Sequence, residues 1–368
     1  MKSVLIVGLP FFPYKYNYLV RSYLRQGVDV KVLLNTSSNC FTSDSQFRDM
    51  FEFSGSGRIG RVSSYFRVIK EFKPKNIDCY DYSVFTLFYV IIASLFKIHV
   101  RLWLIGGELL GDRQNLNDHS FILECYIVIK KLLTRFSLRF VDVIYAKELH
   151  HLETIKKINP KLLKRVVKIY NCVPVDEQLE VRLPDRDFLY ANAVIEKRNV
   201  IDLIRSFYEL KKQGISFSAS IYGFNSISNE VYAARGSSYS EKALAEYRKY
   251  ELEDNVKVYG FVSDIREKML SYKFFILPAD IILANYSLLE AMSFGLVPIV
   301  YPGDGYEEIV EDGINGLVVK NGDLAGTLKH ALSLTDAEYS MMSKSAHEKI
   351  KNDFSLDLWE NKISENLS

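Results

Sequence analysis

The residues with the clearest potential for chemistry lie between positions 271 and 320, where a carboxylate and a helix start fall close together. Glu290 lies in the segment YSLLEAMSF, which follows a polar tip at Asn285. The first N–H groups of a helix lack intrahelical partners and carry a partial positive charge, so those around Ser287 and Leu288 suit a phosphate. A carboxylate repels phosphate but accepts two hydrogen bonds from a vicinal diol such as ribose. The spacing predicts a nucleotide site, with an ordinary βαβ unit as the alternative.

The elements around these residues alternate as in an open parallel sheet. FFILPA (274–279) and VPIVY (297–301) are short apolar runs typical of buried parallel strands. A Gly303-Asp304-Gly305 turn then opens a second short helix that carries Glu308, and Asn315-Gly316 turns the chain into GLVV. Ligands of such sheets bind at the carboxyl ends of the strands. We therefore expect the helix that carries Glu290 to begin at the ligand crevice.

This segment, LPADIILANYSLLEAMSFGLVPIVYPGDGYEEIVEDGINGLVV, resembles the nucleotide-sugar segment of retaining glycosyltransferases of the GT-B fold, glycosyltransferase family four. The family shows two Glu separated by seven residues, and the second corresponds to Glu290. The resemblance implies that Glu290 holds the ribose and that the amides of the helix start hold the phosphates. Asn285 and Glu308 join the expected donor-binding residues. At the position of the first Glu of the pair, this chain has Ile282, which is a departure from the family pattern. Asp280 could supply the missing carboxylate only if the loop is re-routed.

A second stretch, YANAVIEKRNVIDLIRSFYELKKQG, resembles the family's strand end, lysine and long helix. The resemblance places Lys197 at the family's Lys, which neutralises the leaving diphosphate, and makes it a catalytic candidate. The family's Arg is replaced by Asn192, which we keep among the donor-binding residues, and the neighbouring Arg198 could compensate. The turn at Gly260 and Phe261 is expected to receive the base.

In the first half of the chain, HVRLWLI (99–105) predicts a strand that ends in Gly106-Gly107-Glu108. A glycine pair at a strand's carboxyl end lets a ligand approach the backbone closely. We therefore expect Glu108 to act as an acceptor ligand or general base, with a surface turn as the alternative.

Two motifs imitate other sites. Gly55 to Gly60 spells GxGxxG, but it does not follow the first strand, so we interpret it as a glycine-rich turn and not a dinucleotide site. Asp185-Arg186-Asp187 imitates a metal-binding DxD but precedes a strand, and we interpret it as linker. The four cysteines are scattered, which is typical of reduced thiols and not of a structural zinc site. We expect no metal and no cofactor apart from the donor.

The distribution of charged and apolar residues bears on whether the protein contacts a membrane. The formal net charge is +2, yet basic residues outnumber acidic ones in residues 1–180 and acidic residues outnumber basic ones afterwards. This asymmetry suggests an anionic surface for the first half. VFTLFYVIIASLF (84–96) is too short to span a bilayer and is predicted to be a buried helix. ILECYIVIKKLLTRFSLRF (122–140) predicts an amphipathic helix, either a solvated face or a membrane-docking segment. We find no signal peptide and no nucleic-acid motif.

Together these observations predict an α/β protein of the GT-B type, with two Rossmann-like doubly wound domains and an interdomain cleft. The expected acceptor domain spans 1–175, the nucleotide-sugar domain 188–350, and a C-terminal helix (351–368) crosses back, anchored by Trp359. The expected function is sugar transfer, with retention, from a nucleoside-diphosphate sugar to a glycan or lipid-linked acceptor in surface polysaccharide assembly. The expected location is cytoplasmic, with possible peripheral membrane contact. The alternatives are a catalytically weakened GT-B partner protein and a non-hydrolysing sugar-nucleotide epimerase.

Overall fold

The computed structural model describes residues 2–8, 13–34, 49–104, 128–129, 132–147, 149–176, 183–224, 237–262 and 264–367. The chain divides into two compact units. The first comprises residues Met1–Tyr170 together with Trp359–Ser368, and the second comprises Asn171–Leu358.

The first unit is built on a seven-stranded parallel sheet with the order β3-β2-β1-β4-β5-β6-β7. Its strands are β1 (Ser3–Val7), β2 (Asp29–Leu34), β3 (Phe51–Phe53), β4 (Asn76–Cys79), β5 (His99–Leu104), β6 (Val143–Ala146) and β7 (Val166–Lys168). Its helices include α1 (Pro13–Arg25), α2 (Gly57–Phe72), α3 (Val84–Leu95) and α4 (Leu149–Ile158), and residues 132–137 are also helical. This order is doubly wound, with its reversal between β1 and β4.

Helix α3 corrects one expectation. The segment was predicted to be a buried helix, but only one side of it is buried, through Thr86, Tyr89, Val90 and Ala93. The opposite side is exposed at Phe88, Ile91 and Leu95. A capping box between Ser83 and Thr86 begins the helix. The apolar residues of α3 therefore lie in two environments, one buried in the core and one exposed.

The core of the first unit contains a buried ion pair. Arg101 of β5 and Asp78 of β4 are fully buried, and the Arg101 Nε lies 2.7 Å from the Asp78 Oδ1. The hydroxyl of Tyr23 accepts a hydrogen bond from the Arg101 Nη2 at 3.0 Å and donates one to Asp78. Burial lowers the pKa of Arg101, but the charge of Asp78 together with the hydroxyls of Tyr23, Tyr145 and Tyr80 opposes burial, and the net effect is a raised pKa. Removing either member of the pair would leave an uncompensated charge in the core.

The last residues of the first unit pack beside this pair. Trp359 lies against Trp103, with ring centroids 5.8 Å apart, and the backbone carbonyl of Asn366 lies 3.4 Å from the Arg101 Nη1. Arg25 of α1 also pairs with Glu360 at 3.1 Å.

The second unit is built on a six-stranded parallel sheet with the order β10-β9-β8-β11-β12-β13. Its strands are β8 (Arg186–Ala191), β9 (Ala219–Tyr222), β10 (Val256–Tyr259), β11 (Tyr272–Leu277), β12 (Val297–Val300) and β13 (Leu317–Val318). The helices from Val200 onward are α5 (Val200–Lys212), α6 (Ser237–Lys249), α7 (Ile265–Met269), α8 (Tyr286–Ser293), α9 (Leu324–Ser333), α10 (Asp336–Asp353) and α11 (Leu356–Ser364); α11 enters the first unit at Trp359.

The two imitation motifs have structural roles. Arg186 and Asp187 belong to β8 and not to a linker, which corrects that interpretation. The Asp187 Oδ2 accepts hydrogen bonds from the backbone N–H and hydroxyl of Ser218, at 2.9 and 3.1 Å. Gly55 and Gly60 pack backbone to backbone where β3 is followed by α2, and a Cβ on Gly60 would lie 2.7 Å from the Gly55 carbonyl carbon.

No helix within the described ranges is both long enough and apolar enough to cross a bilayer. The same ranges hold no cluster of three or more His, Cys, Asp or Glu side chains placed to hold a metal ion.

Candidate functional site

The candidate site lies in the second unit, at the carboxyl ends of β8 and β11, where the strand order reverses. Asn192 follows β8, and α8 begins after the loop that follows β11. The Asn192 Nδ2 donates to the Asn285 Oδ1 at 3.1 Å, and the same oxygen accepts the Leu288 N–H at 3.3 Å. Asn285 is therefore the N-cap of α8 and is itself held by Asn192. A crevice at such a reversal is the usual ligand site of open α/β sheets.

The loop between β11 and α8 has a strained backbone. Leu283 and Ala284 have φ angles of 39° and 43°, in the left-handed region that residues with a Cβ rarely adopt. The Asn171 side chain donates to the Ala284 carbonyl at 2.8 Å, and the Ile282 N–H donates to the Asp304 carbonyl at 2.9 Å. These bonds stabilise the strained path, which is the pattern expected where backbone strain serves a site.

Two glycines let neighbouring segments approach the same edge of the sheet. A Cβ on Gly223, after β9, would lie 1.9 Å from the Asn192 carbonyl oxygen. A Cβ on Gly303, after β12, would lie 2.2 Å from the Ala279 carbonyl oxygen. Both distances are below any real contact, so glycine is required where these loops close around the crevice.

Lys197 and Arg198 follow β8 in a short 3-10 helix, Glu196–Arg198. Lys197 is exposed, and its carbonyl accepts the Asp280 N–H at 3.2 Å, which ties this turn to the loop after β11. Arg198 is half-buried and donates from Nη1 to the Ile281 carbonyl at 2.8 Å. Burial lowers the pKa of Arg198, while nearby Tyr190 and Asp280 act in the opposite direction. The arginine supports the loop, and its role as a phosphate ligand stays a prediction.

Glu290 lies one turn into α8, with a side chain 17% exposed. Its Oε1 lies 3.6 Å from the Arg266 Nη1 of α7, and the Arg266 guanidinium also stacks over the Phe294 ring at 5.1 Å. Burial raises the pKa of the Glu290 carboxyl, and the positive charge of Arg266 opposes that rise. Arg266 therefore favours the ionised carboxylate, the form that accepts two hydrogen bonds from a diol.

We expect Arg266→Gln to make nucleotide binding more sensitive to acid. Without the guanidinium, burial alone acts on Glu290, its pKa rises further, and the carboxylate protonates at a higher pH. The measurement is the affinity for a nucleoside diphosphate from neutral to acid pH, where the loss of affinity should begin at a higher pH in the variant. Arg266→Lys keeps the charge and is the matched control. Superimposable profiles for the parent chain and Arg266→Gln would contradict this role.

The remaining predicted residues lie on neighbouring loops of the same unit. Gly260 is buried and its carbonyl accepts the Gly223 N–H at 3.2 Å, whereas the Phe261 ring is 53% exposed beside it. Glu308 ends a short 3-10 helix, Tyr306–Glu308, that follows Gly305 in the left-handed region. Ser287 is half-buried and Leu288 is buried in the first turn of α8. Their roles in binding stay predictions.

The two departures from the family pattern have different environments. Ile282 is 2% exposed, so its side chain fills space within the protein instead of offering an apolar wall to a ligand. Asp280 is exposed, and its Oδ1 accepts a hydrogen bond from the Asn199 Nδ2 at 2.7 Å. The proposed acceptor residue Glu108 lies outside the described residues.

Sequence reasoning missed three side chains. Asn171 and Asn199 hold the loop after β11, and Arg266 pairs with Glu290. Asn199 has a φ of 48° and lies at the start of α5. Its position between EKR and that helix was the one sequence signal for its structural role. The other two depend on contacts between distant segments, for which the sequence holds no local signal.

Residues 175–349 match the family model described as Glycosyl transferases group 1. Among solved structures, the chain is similar to Alr3699/HepE of Anabaena in complex with UDP, at 15% identity and a TM-score of 0.73 over 100% of this chain and 99% of that chain. It is also similar to a glycosyltransferase of Rickettsia africae ESF-5, at 15% identity and a TM-score of 0.76 over 99% and 97%. It is similar as well to the apo form of the lipopolysaccharide outer core galactosyltransferase WaaB, at 16% identity and a TM-score of 0.67 over 100% of both chains. No curated protein matches the chain.

These comparisons bear directly on the sequence predictions. The structural likenesses confirm the expected GT-B architecture of two parallel α/β sheets. The family match confirms the expectation of a glycosyltransferase. Membership of family four and retention of configuration stay predictions.

Proposed function

We propose that this GT-B glycosyltransferase, whose residues 175–349 match the group 1 family model, transfers a sugar with retention from a nucleoside-diphosphate sugar to a glycan or lipid-linked acceptor. The observation that carries the proposal is the meeting of Asn192, the N-cap Asn285 and the start of α8 at the reversal of the second sheet. A helix start at that place is suited to a diphosphate. The family match covers the same segment.

Each residue has a proposed part in transfer. The diphosphate lies over the start of α8, near Ser287 and Leu288, and Glu290 accepts hydrogen bonds from the ribose hydroxyls. As the bond between the anomeric carbon and the diphosphate oxygen breaks, negative charge accumulates on the leaving phosphate and Lys197 stabilises it. The acceptor oxygen forms the new bond to the same carbon, and its proton passes to Glu108 or to the leaving phosphate.

Two neighbours support the substrate class. The Anabaena protein has been solved in complex with UDP and with UDP-glucose, and WaaB is a galactosyltransferase of the lipopolysaccharide outer core. We propose a related role for this chain in surface polysaccharide assembly, in the cytoplasm and in contact with a membrane through its basic first unit.

A thermal-shift screen of nucleoside diphosphates tests the donor site. A ligand at 100 times its dissociation constant stabilises the folded state by about 2.7 kcal/mol, which raises the melting temperature by several degrees. We expect such a shift for at least one diphosphate and its sugar conjugate. Glu290→Gln should weaken it, because a neutral amide accepts the ribose hydroxyls less strongly. The exposed Glu267→Gln is the matched control. No shift with any diphosphate, or a full shift in Glu290→Gln, would contradict the assignment.

Two departures from the family pattern favour a second candidate function. The carboxylate expected near the transferred sugar is replaced by a buried Ile282, and the expected arginine is replaced by a neutral Asn192. Both changes suit a catalytically weakened partner protein within a glycan-assembly complex. Turnover of a panel of nucleotide sugars separates the two candidates, because the weakened protein would bind a diphosphate poorly and release none from a donor.

A further inference from the structure

An exposed apolar surface covers part of the first unit. It consists of Phe66 on α2 and Phe88, Ile91, Leu95 and Phe96 on and just after α3, with exposures of 39%, 46%, 37%, 77% and 42%. We call these five residues the α2–α3 face. The rings of Phe66 and Phe96 meet edge to face, with centroids 5.8 Å apart, so the two helices contribute to one continuous surface.

The α2–α3 face follows from the pattern of α3. Phe88, Ile91 and Leu95 recur at three- and four-residue intervals and lie on one side of the helix, opposite the buried Tyr89 and Ala93. The helix VFTLFYVIIASL holds no charged residue. A surface helix of a globular protein normally places charged residues on its outer side, so an apolar outer side indicates an interaction surface.

Lysines border the α2–α3 face. The Lys70 ammonium lies 4.4 Å from the centroid of the Phe66 ring. Lys73 and Lys97 follow the last residues of α2 and α3, and both are exposed. The charge of Arg67 is matched by ion pairs with Glu52 and Glu71. The three lysines therefore give the border of the face a net positive charge.

A neighbouring segment has the same character. Leu132 and Phe136 are 61% and 44% exposed and lie among the exposed Arg135 and Arg139. The segment continues into Leu138–Phe140, which contacts α3. Apolar side chains with basic neighbours therefore extend beyond α2 and α3.

We propose that the α2–α3 face inserts into the headgroup region of a bilayer that contains anionic lipids. Exposed phenylalanine and leucine on one side of a helix, bordered by lysines, are the side chains expected of an interfacial membrane helix. Each lysine near an anionic surface adds attraction that falls off within a Debye length. The proposal deepens the membrane contact of the proposed function, but its evidence is independent of the nucleotide site.

The test is co-sedimentation of the full chain with vesicles of phosphatidylcholine alone or mixed with phosphatidylglycerol. We expect binding to the mixed vesicles that weakens as salt is added. Phe88→Glu with Leu95→Glu should lower the partition coefficient at least tenfold, since two inserted side chains are lost. Met341→Glu is the matched control, because Met341 is 66% exposed on the second unit. The Lys70→Glu/Lys97→Glu variant should lose the preference for anionic vesicles, although neither substitution changes a residue of the α2–α3 face.

Three outcomes would overturn the proposal. These are no binding of the parent chain to mixed vesicles, equal binding to neutral and mixed vesicles, and unchanged binding of the Phe88→Glu/Leu95→Glu variant. Tryptophan fluorescence of each variant shows that the first unit, which carries these substitutions and both tryptophans, remains folded. Loss of vesicle binding with the nucleoside-diphosphate thermal shift retained refutes only the membrane surface, whereas loss of the shift in the parent chain refutes only the donor site.

Discussion

Lys197→Ala is expected to lower the rate of sugar transfer by about 10²- to 10³-fold, with a much smaller change in nucleotide affinity. The leaving diphosphate carries more negative charge in the transition state than in the ground state, so a cation at that place acts mainly on kcat. The resemblance places the neutral Asn192 where the family has an arginine, and Asn192 is engaged with Asn285. We therefore expect a larger share of the charge stabilisation to fall to Lys197, which is exposed in the 3-10 helix Glu196–Arg198 that follows β8.

The experiment for Lys197 compares kcat and KM for the donor in three variants. Lys197→Arg keeps a positive charge and should retain a substantial part of the rate. Lys212→Ala removes another exposed lysine, at the end of α5, and should leave both constants unchanged. A Lys197→Ala enzyme with an unchanged kcat, or with a loss confined to KM, would show that the lysine is not a catalytic residue.

Arg101→Met is expected to lower the free energy of unfolding of the first unit by about 3–5 kcal/mol. The substitution leaves the Asp78 carboxylate buried without its cation, and among the described residues the Tyr23 hydroxyl is then its remaining side-chain partner. The cost is the burial of an uncompensated charge and exceeds the value of the ion pair itself. Both tryptophans of the chain, Trp103 and Trp359, belong to the first unit, so tryptophan fluorescence in urea reports its unfolding selectively.

Two comparisons make the Arg101 experiment decisive. Arg25→Met breaks the more exposed pair with Glu360 and should cost at most about 1 kcal/mol. Asp78→Asn combined with Arg101→Met removes the stranded charge and should recover a large part of the stability. If the double variant is as unstable as Arg101→Met alone, the loss comes from packing and not from the buried carboxylate.

Much of the fold followed from local patterns. The runs SVLIV and VPIV are strands because every residue after Ser3 in the first run, and every residue of the second, is apolar, and both faces of a parallel sheet are covered. The start of α8 at Tyr286 could be predicted because Asn285 is a strong N-cap residue before an apolar helix. The exposed side of α3 could not be predicted in this way, because periodicity does not distinguish a helix covered on all sides from one with an exposed apolar side.

The site was predictable only where it depends on local sequence. Ser287 and Glu290 take their places from the helix that carries them, so the strand–loop–helix pattern was sufficient. The support of the loop by Asn171 and the pairing of Arg266 with Glu290 join segments far apart in the chain. The left-handed turn at Leu283 and Ala284, next to the buried Ile282, could not be predicted, because this conformation favours glycine and leucine and alanine do not signal it.

The inclusion of residues 359–368 in the first unit has a consequence for biosynthesis. The second unit is made from one continuous segment, residues 171–358, and every one of its contacts is available before the last ten residues leave the ribosome. The first unit begins earlier but cannot place Trp359 against Trp103, or the Asn366 carbonyl beside Arg101, until translation has passed them. The half of the protein that is synthesised first is therefore the half that is finished last, and a nascent chain stalled before Trp359 would carry a complete second unit and an unfinished first unit.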